Sequence, residues 1–341
     1  MLAEVNSAVD TRERTSAVTT SPPWVPRVRR ALPWLVAGWA LLTVWKAQLV
    51  GWTTDWHVFW TAGHAVVTGG DPYAAVLALE HGYPLFYPGP ALLLLAPFGL
   101  LSSKAAWLAW AAMTGGLFGL AAVRHGRGLW VGALSACFAE AVTFGQWVPL
   151  LVAAAILPWL SGALVTKPSI GAALWLWRPR RSAVAGALAL LFLSLLVVPG
   201  WPADWLAAVQ RTNHVAPVLK PWGWILLLAA LRWRTPGGRL LLALACIPQT
   251  TSLYESLPLF LVCRQRWDAY ALAVLSHVAA LVQAQYYSAP GQVLEAVIAD
   301  RWPVFLVTLW LPALIMVLRP VPAADPSLNS LTPVNGMRLP L

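Results

Sequence analysis

Arg27-Val28-Arg29-Arg30-Ala31-Leu32-Pro33-Trp34-Leu35-Val36-Ala37-Gly38-Trp39-Ala40-Leu41-Leu42-Thr43-Val44-Trp45-Lys46 opens on three arginines, runs apolar, and closes on a lysine. A helix crosses the hydrocarbon of a bilayer in about 20 apolar residues, so this run reads as a membrane span. A secretory leader does not fit, because the polar region before the run is about 30 residues long and no small-residue cleavage site precedes Lys46. The run is therefore a retained first span, and the arginines ahead of it place the N-terminus inside.

The same pattern continues outward from this stretch. The chain has 341 residues, 59% hydrophobic and 11% charged, with a mean hydropathy of +0.66, whereas soluble domains carry roughly 25% charged residues. Apolar runs bounded by Arg, Pro or Gly recur from Ala31 to Leu318, which sets the expectation of an all-α integral membrane protein with about ten to twelve crossings. Residues 1–30, rich in Ser, Thr and Pro, read as a disordered cytoplasmic tail. Residues 31–319 form the membrane domain, and residues 320–341 a second cytoplasmic tail.

Alternating crossings from an inside N-terminus bring Arg178, Arg180 and Arg181, then Arg232, Arg234 and Arg239, then Arg264 and Arg266, and lastly Arg319 to one side. Arg124 and Arg127 fall on the other side by this count. Either a span between Leu92 and Val123 is miscounted or these two bind an anion. The outer side then carries Gly51 to Pro88, the surroundings of Lys167, Trp201 to Trp222 and Tyr286 to Trp302, with Thr250 to Glu255 at a helix end. Runs such as Ile170 to Trp177, and the stretch around Pro248 and Pro258, are too short for a whole span. Broken helices of this kind survive at membrane depth around a protein-lined or wet cavity.

The formal charge of +10 is spread in short clusters between apolar runs, so nucleic acid is excluded as a partner and membrane lipids are implied. Cys137, Cys246 and Cys263 sit in or beside apolar stretches without a CxxC, and read as small hydrophobes. The 22 tryptophans suit interfacial belts or stacking on sugar rings, the belt being the better reading for any single one. No internal repeat suggests an inverted-repeat transporter.

The richest polar segment follows the first span. Thr53, Thr54 and Asp55 are helix N-cap residues, and Trp56, Phe59, Trp60, Gly63 and Val67 recur at helical spacing. This is an amphipathic interfacial helix with His57, Thr61, His64 and Thr68 on its polar face and Asp55 at its start. Asp55 either caps that helix or faces an outer cavity. Gly69-Gly70-Asp71-Pro72-Tyr73 is a turn, and Tyr83-Pro84 with Phe86-Tyr87-Pro88-Gly89-Pro90 returns the chain to the membrane.

The string Asp55-x-x-x-Phe59-x-x-Ala62-Gly63, then Gly70-Asp71-Pro72-Tyr73, then Phe86-Tyr87-Pro88, resembles the first outer loop of glycosyltransferase family 87. Gly145-Gln146, Lys167-Pro168 and Arg178-Pro179-Arg180-Arg181 follow in that family's order, and the resemblance extends from Ala31 to Val184. It implies a GT-C-type helical bundle and an enzyme that takes a sugar, mannose in the best-known cases, from a polyprenyl phosphate to a glycolipid or glycan hydroxyl on the outer face of the plasma membrane. It also implies that Asp55 is the catalytic base. His57, His64, Asp71, Tyr73, Tyr87, Gln146 and Lys167 are then candidate substrate-binding residues, and Glu255, at an outward-facing broken-helix position after Pro248, is a further one that binds sugar hydroxyls or assists the base.

Chemistry agrees with that expectation: an acceptor hydroxyl needs a carboxylate to take its proton, and the departing phosphate needs cations or donors. Phosphate leaves readily, so one carboxylate suffices. Lys167 stands in an otherwise apolar run, which makes it a phosphate ligand or a snorkelling residue. Arg211, His214 and Lys220 hold either a lipid phosphate or ordinary headgroups. Glu140 needs a partner inside the bundle and reads as a structural hydrogen-bonding group or a site residue, while Lys46, His125 and His277 read as structural or exposed. No cofactor is called for, and the scattered carboxylates assign no metal site. The competing expectation is a non-catalytic carrier or interaction protein for lipid-linked sugars.

Overall fold

The computed structural model describes residues 24–50, 55–79, 84–212, 214–250, 252–287 and 301–320. Thr53, Thr54 and Tyr83, most of both expected tails and much of the stretch between Tyr286 and Trp302 lie outside these residues. Among the described residues the protein is all-helical, with a single isolated antiparallel bridge between Val215 and Gln249.

The run expected as the first span forms helix α1 (Trp24–Leu49), which begins earlier than expected, so that Arg27, Arg29 and Arg30 lie in its opening turns. Three shorter helices follow, α2 (Trp56–Val67), α3 (Pro72–Leu77) and α4 (Gly89–Gly99), and then the long α5 (Ser103–His125). α1 and α5 run antiparallel. Gln48 Nε2 donates to the carbonyl of Lys104 at one end, 3.1 Å away, and Gly119 packs on Leu32 and Pro33 at the other. A Cβ on Gly119 would stand 2.8 Å from Pro33 Cα, and one on Gly115 would stand 2.8 Å from Ala40 Cβ. Glycines four apart thus clear a groove in which the two backbones touch, which supplies dispersion contact where no hydrophobic drive between helices exists.

α4 stays at the end where α1 finishes and α5 starts. Its Leu95 and Gly99 press on Gly63 of α2, Trp60 Nε1 donates to the carbonyl of Leu101, and Trp56 Nε1 donates to that of Ser103, both at 3.0 Å. A Cβ on Gly89, at the other end of α4, would collide with the Trp201 ring at this same end. α4 therefore adds no crossing, and α5 returns Arg124 and Arg127 to the end that carries Arg27 to Arg30. A miscounted span is enough to account for the side on which these two arginines fell, whatever they bind. The count went astray because α4 is apolar enough for a membrane but only 11 residues long.

The remaining helices are α6 (Ala136–Thr143), α7 (Val148–Ile156), α8 (Pro168–Trp177), α9 (Arg181–Val197), α10 (Trp201–Val209), α11 (Pro236–Cys246), α12 (Arg266–Tyr287) and α13 (Arg301–Leu318), the last with a π-helical turn at Leu306–Trp310. Between them lie 3-10 segments at Leu129–Leu134, Pro158–Thr166, Gly223–Arg232 and Leu253–Val262. By length and composition three helices, α5, α12 and α13, are able to cross a membrane. The number rises to five if the bent pairs α6–α7 (115°) and α9–α10 (105°) each count as one span. This falls short of ten to twelve because α4, α11 and the 3-10 segments from Gly223 and Leu253 are apolar but only 10 or 11 residues long.

The surface is that of a chain dissolved in an apolar medium. α9 exposes Leu188, Phe192, Leu193 and Leu196, α1 exposes Trp34, Leu35 and Leu49, and α12 exposes Val274 and Leu281. Apolar surface this continuous is foreign to soluble monomers. At one end of the bundle arginines cap helix C-termini: Arg239 Nε and Nη2 donate to the carbonyls of Leu176 and Trp177 (2.8 and 3.3 Å), and Arg264 Nη2 to that of Val317 (3.0 Å). Arg319 Nη1 pairs with Asp268 Oδ1 at 3.1 Å. We call this the basic end, and the opposite end, where α2 and α4 lie, the polar end.

Candidate functional site at the polar end

Each side chain of the site is presented at an element boundary. Asp55 precedes α2, Tyr87 precedes α4, Gln146 sits in the turn between α6 and α7, Lys167 precedes α8, and Glu255 belongs to the first turn of the 3-10 segment Leu253–Val262. Local sequence makes the turn at Gln146 possible. Gly145 has a left-handed φ of 68°, and a Cβ there would lie 2.8 Å from the Trp56 ring, so only glycine lets the backbone close on that indole.

Asp55 occupies the N-cap position of α2 yet makes no side-chain capping bond to it. Instead Asp55 Oδ2 accepts a 2.6 Å hydrogen bond from Gln146 Nε2, and Gln146 Oε1 accepts from the Tyr87 hydroxyl at 3.0 Å. The amide thus spans a carboxylate at the exposed rim and a buried phenol. Beyond Tyr87, Lys167 Nζ lies 5.9 Å from the Tyr87 ring centroid and 5.0 Å from that of Tyr254, and pairs with Glu255 Oε1 at 2.9 Å. The Lys167 and Glu255 side chains are 13% and 2% exposed, so Lys167 does not snorkel to the surface.

Five residues from distant parts of the sequence therefore form one row: Asp55, Gln146, Tyr87, Lys167, Glu255. Burial pushes the Tyr87 hydroxyl up to about 12; Lys167 pulls it back, while Asp55 and Glu255 push it further. All three charges thus bear on one ring, which stays a neutral donor. Lys220 flanks the far end of the row. Burial draws its ammonium below the usual range, Glu255 opposes that, and the Nζ lies 5.9 Å from the Trp302 ring centroid. His214 also lies within electrostatic reach of Glu255 and packs edge-on to Phe86, with ring centroids 5.8 Å apart.

Other expected site residues serve the scaffold. Asp71 caps α3, with Oδ1 accepting from the amides of Tyr73 (2.8 Å) and Ala74 (3.1 Å). The Tyr73 hydroxyl donates to the carbonyl of Tyr87 at 2.7 Å, so Tyr73 fixes the backbone of a row residue from behind, and burial raises its own hydroxyl well above the usual tyrosine range. His64 Nδ1 bonds the Gly99 carbonyl at 2.9 Å and its ring stacks on Trp60; His57 is exposed beside the same indole. Neither histidine joins the row, because the partners on that face of α2 are the end of α4 and its turn. Arg211 is exposed, and among the described residues no side-chain hydrogen bond or ion pair joins it to the row.

An aromatic floor lies beneath. Trp56, Phe59, Trp110 and Trp147 are buried, with Trp110 and Trp147 ring centroids 4.8 Å apart and Phe59 edge-on to Tyr87 at 4.9 Å. Trp34 and Trp267 are exposed, as belt residues must be, whereas these four are buried and support the site. Sequence reasoning missed this floor, since Trp at helical spacing in apolar runs carries no mark of which helix it meets. Glu140 is a structural group here: Oε2 accepts the amide of Tyr254 at 2.7 Å and Oε1 accepts from Gln283 Nε2 at 3.2 Å, with buried Arg301 in electrostatic reach. Gln283 and Arg301 were not foreseen; a glutamine within an apolar helix was the available signal. Among the described residues no three His, Cys, Asp or Glu side chains converge as a metal site would require.

Comparison with protein-family models, with curated proteins and with solved structures finds no match to the chain.

Proposed function

We propose that this protein is a membrane glycosyltransferase that moves a hexose, mannose first among candidates, from a polyprenyl phosphate to a glycolipid or glycan hydroxyl at the outer face of the cell membrane. The observation that carries the reading is the row itself: a rim carboxylate, Asp55, held from behind by Gln146 and Tyr87 and followed by the Lys167–Glu255 pair. A carboxylate fixed by an amide and open to solvent on its residue surface is suited to take a proton from a bound hydroxyl.

In this reading the acceptor hydroxyl gives its proton to the Asp55 carboxylate while its oxygen attacks the anomeric carbon. The bond from that carbon to the phosphate oxygen breaks, and polyprenyl phosphate leaves with the electron pair. One displacement inverts the anomeric centre. The negative charge that grows on the phosphate calls for cations, and Lys220, His214 and Lys167 are those nearest the row. Lys167 is already neutralised by Glu255, so Lys220 is the better phosphate partner of the two.

The test is transfer by purified protein from polyprenyl-phosphate mannose, with the anomeric configuration read by NMR. Wild-type protein gives inverted product, and Asp55→Asn lowers the rate by a factor of about 10² or more, within the range a positioned general base supplies. Undiminished transfer by Asp55→Asn sinks the assignment of Asp55. Binding or flipping of the donor without any transfer by wild-type protein favours the carrier instead.

A further inference from the structure

Five arginines of the basic end are tied to the chain by their side chains. Arg180, Arg232, Arg239 and Arg264 donate to main-chain carbonyls, and Arg319 pairs with Asp268. Arg124, Arg127, Arg178 and Arg266 are exposed and, among the described residues, donate no side-chain hydrogen bond and meet no carboxylate. Arg27, Arg29, Arg30, Arg181 and Arg234 are exposed as well, but these four gather around one turn.

That turn is Gly126-Arg127-Gly128, which joins α5 to the following 3-10 segment with three successive positive φ angles of 68°, 49° and 79°. For arginine the left-handed region costs about 1 kcal/mol or more. The turn also presses on α12, since a Cβ on Gly128 would lie 3.0 Å from Arg266 Cα. His125, the last residue of α5, packs on the Trp177 ring at 5.6 Å, and the Arg178 guanidinium lies over that same ring at 4.7 Å, where Arg180 and Arg127 both bear on it. The fold thus holds like charges from α5, α8 and α12 close to one another, with no anion of the described chain between them.

What surrounds them is apolar. Beside Arg266 stand exposed Trp267 and Trp130, both against Tyr270, with ring centroids 5.6 and 6.0 Å away. Exposed Val274, Val278 and Leu281 continue the strip along α12, and Leu134 lines it from the 3-10 segment. Cations at the ends of two candidate spans, an aromatic collar, then an aliphatic strip follow the order of a lipid from headgroup to chain.

We propose that Arg127 and Arg178, flanked by Arg124 and Arg266, bind the phosphate of an anionic bilayer phospholipid whose chains lie along α12. This site is at the opposite end of the bundle from Asp55 and does not depend on the function proposed above.

Purified full-length protein in detergent, titrated with phosphatidylglycerol, cardiolipin or chain-matched phosphatidylcholine and read by native mass spectrometry, tests it. Wild-type protein retains the anionic lipids over phosphatidylcholine. The double variant Arg127→Gln, Arg178→Gln binds them about thirtyfold more weakly, at roughly five- to sixfold for each arginine near a charged headgroup. Arg234→Gln, which removes a charge elsewhere at the same end, leaves binding within about twofold, and circular dichroism shows whether each variant keeps its helices. The double Lys variant Arg127→Lys, Arg178→Lys, which keeps the charge, stands in if the Gln variant loses helix, and it retains binding. Equal loss in Arg234→Gln, equal retention of phosphatidylcholine, or displacement of lipid by millimolar inorganic phosphate each overturns the proposal; the last identifies a free-phosphate site.

Discussion

Removing Glu255 perturbs the candidate site most sharply. The pair it forms with Lys167 is 2.9 Å long and its carboxylate is 2% exposed. Two unit charges at that distance attract by about 6 kcal/mol at an effective dielectric constant of about 20, most of it offset by the cost of taking both from water. Glu255→Gln leaves the Lys167 ammonium, 13% exposed, with an amide oxygen and the faces of Tyr87 and Tyr254 but no counter-charge, and a stranded charge of this kind costs about 3–5 kcal/mol. Lys167→Met costs less, because Lys220 and His214 still bear on Glu255. The double variant Lys167→Met, Glu255→Gln recovers most of the loss. Thermal unfolding in detergent, followed by tryptophan fluorescence across the four proteins, yields a coupling of about 2 kcal/mol or more. Additive losses, or a Glu255→Gln variant as stable as wild type, would refute the view of this pair as a buried, mutually dependent unit.

Four further outcomes follow from the same geometry. Gly119→Leu drives a side chain into Pro33 and Leu32 and separates α1 from α5; overpacking costs about 1–3 kcal/mol, read as a lower unfolding temperature. Asp71→Ala removes the cap of α3 and costs about 1 kcal/mol, and in the transfer assay it shifts the rate far less than Asp55→Asn does. Gly145→Ala strains a left-handed turn and pushes Trp56, so it lowers both stability and transfer while leaving Asp55 itself untouched. For Tyr87, burial lifts the folded hydroxyl to about 12 from an ordinary 10.0. Its stabilising contribution, of order 2–3 kcal/mol, is complete below pH 10 and lost as pH rises toward 12, so alkaline melts of wild type fall more steeply than those of Tyr87→Phe.

The sequence by itself pointed to an apolar solvent, an all-helical class and much of the local chemistry, but not to the number of crossings. Apolar runs and sparse charge require an apolar medium, because exposed backbone groups at membrane depth have no water to meet them. The cap Asp71 makes for α3 and the close contact at Gly115 and Gly119 came only with the structure, whereas Gly69-Gly70-Asp71-Pro72-Tyr73 was legible as a turn through short-range sterics. The polar segment from Asp55 to Tyr87 was legible as a place of interest for the same reason.

Tertiary structure alone decided what those residues face. Helical periodicity sorts one helix into two faces but is silent on which distant element covers each. Thus His64, on the expected polar face, turns to the Gly99 carbonyl, while Asp55 passes over its own helix for Gln146. Lys167 and Glu255 are 88 positions apart and find each other because each alone is costly to bury. Arg127 changes sides once α4 is seen to lie beside α2 instead of crossing, since an 11-residue apolar helix at about 1.5 Å per residue reaches only half the thickness of a bilayer core. Composition sets the medium through local transfer energies; the row from Asp55 to Glu255 exists only through packing, which no local window of sequence contains.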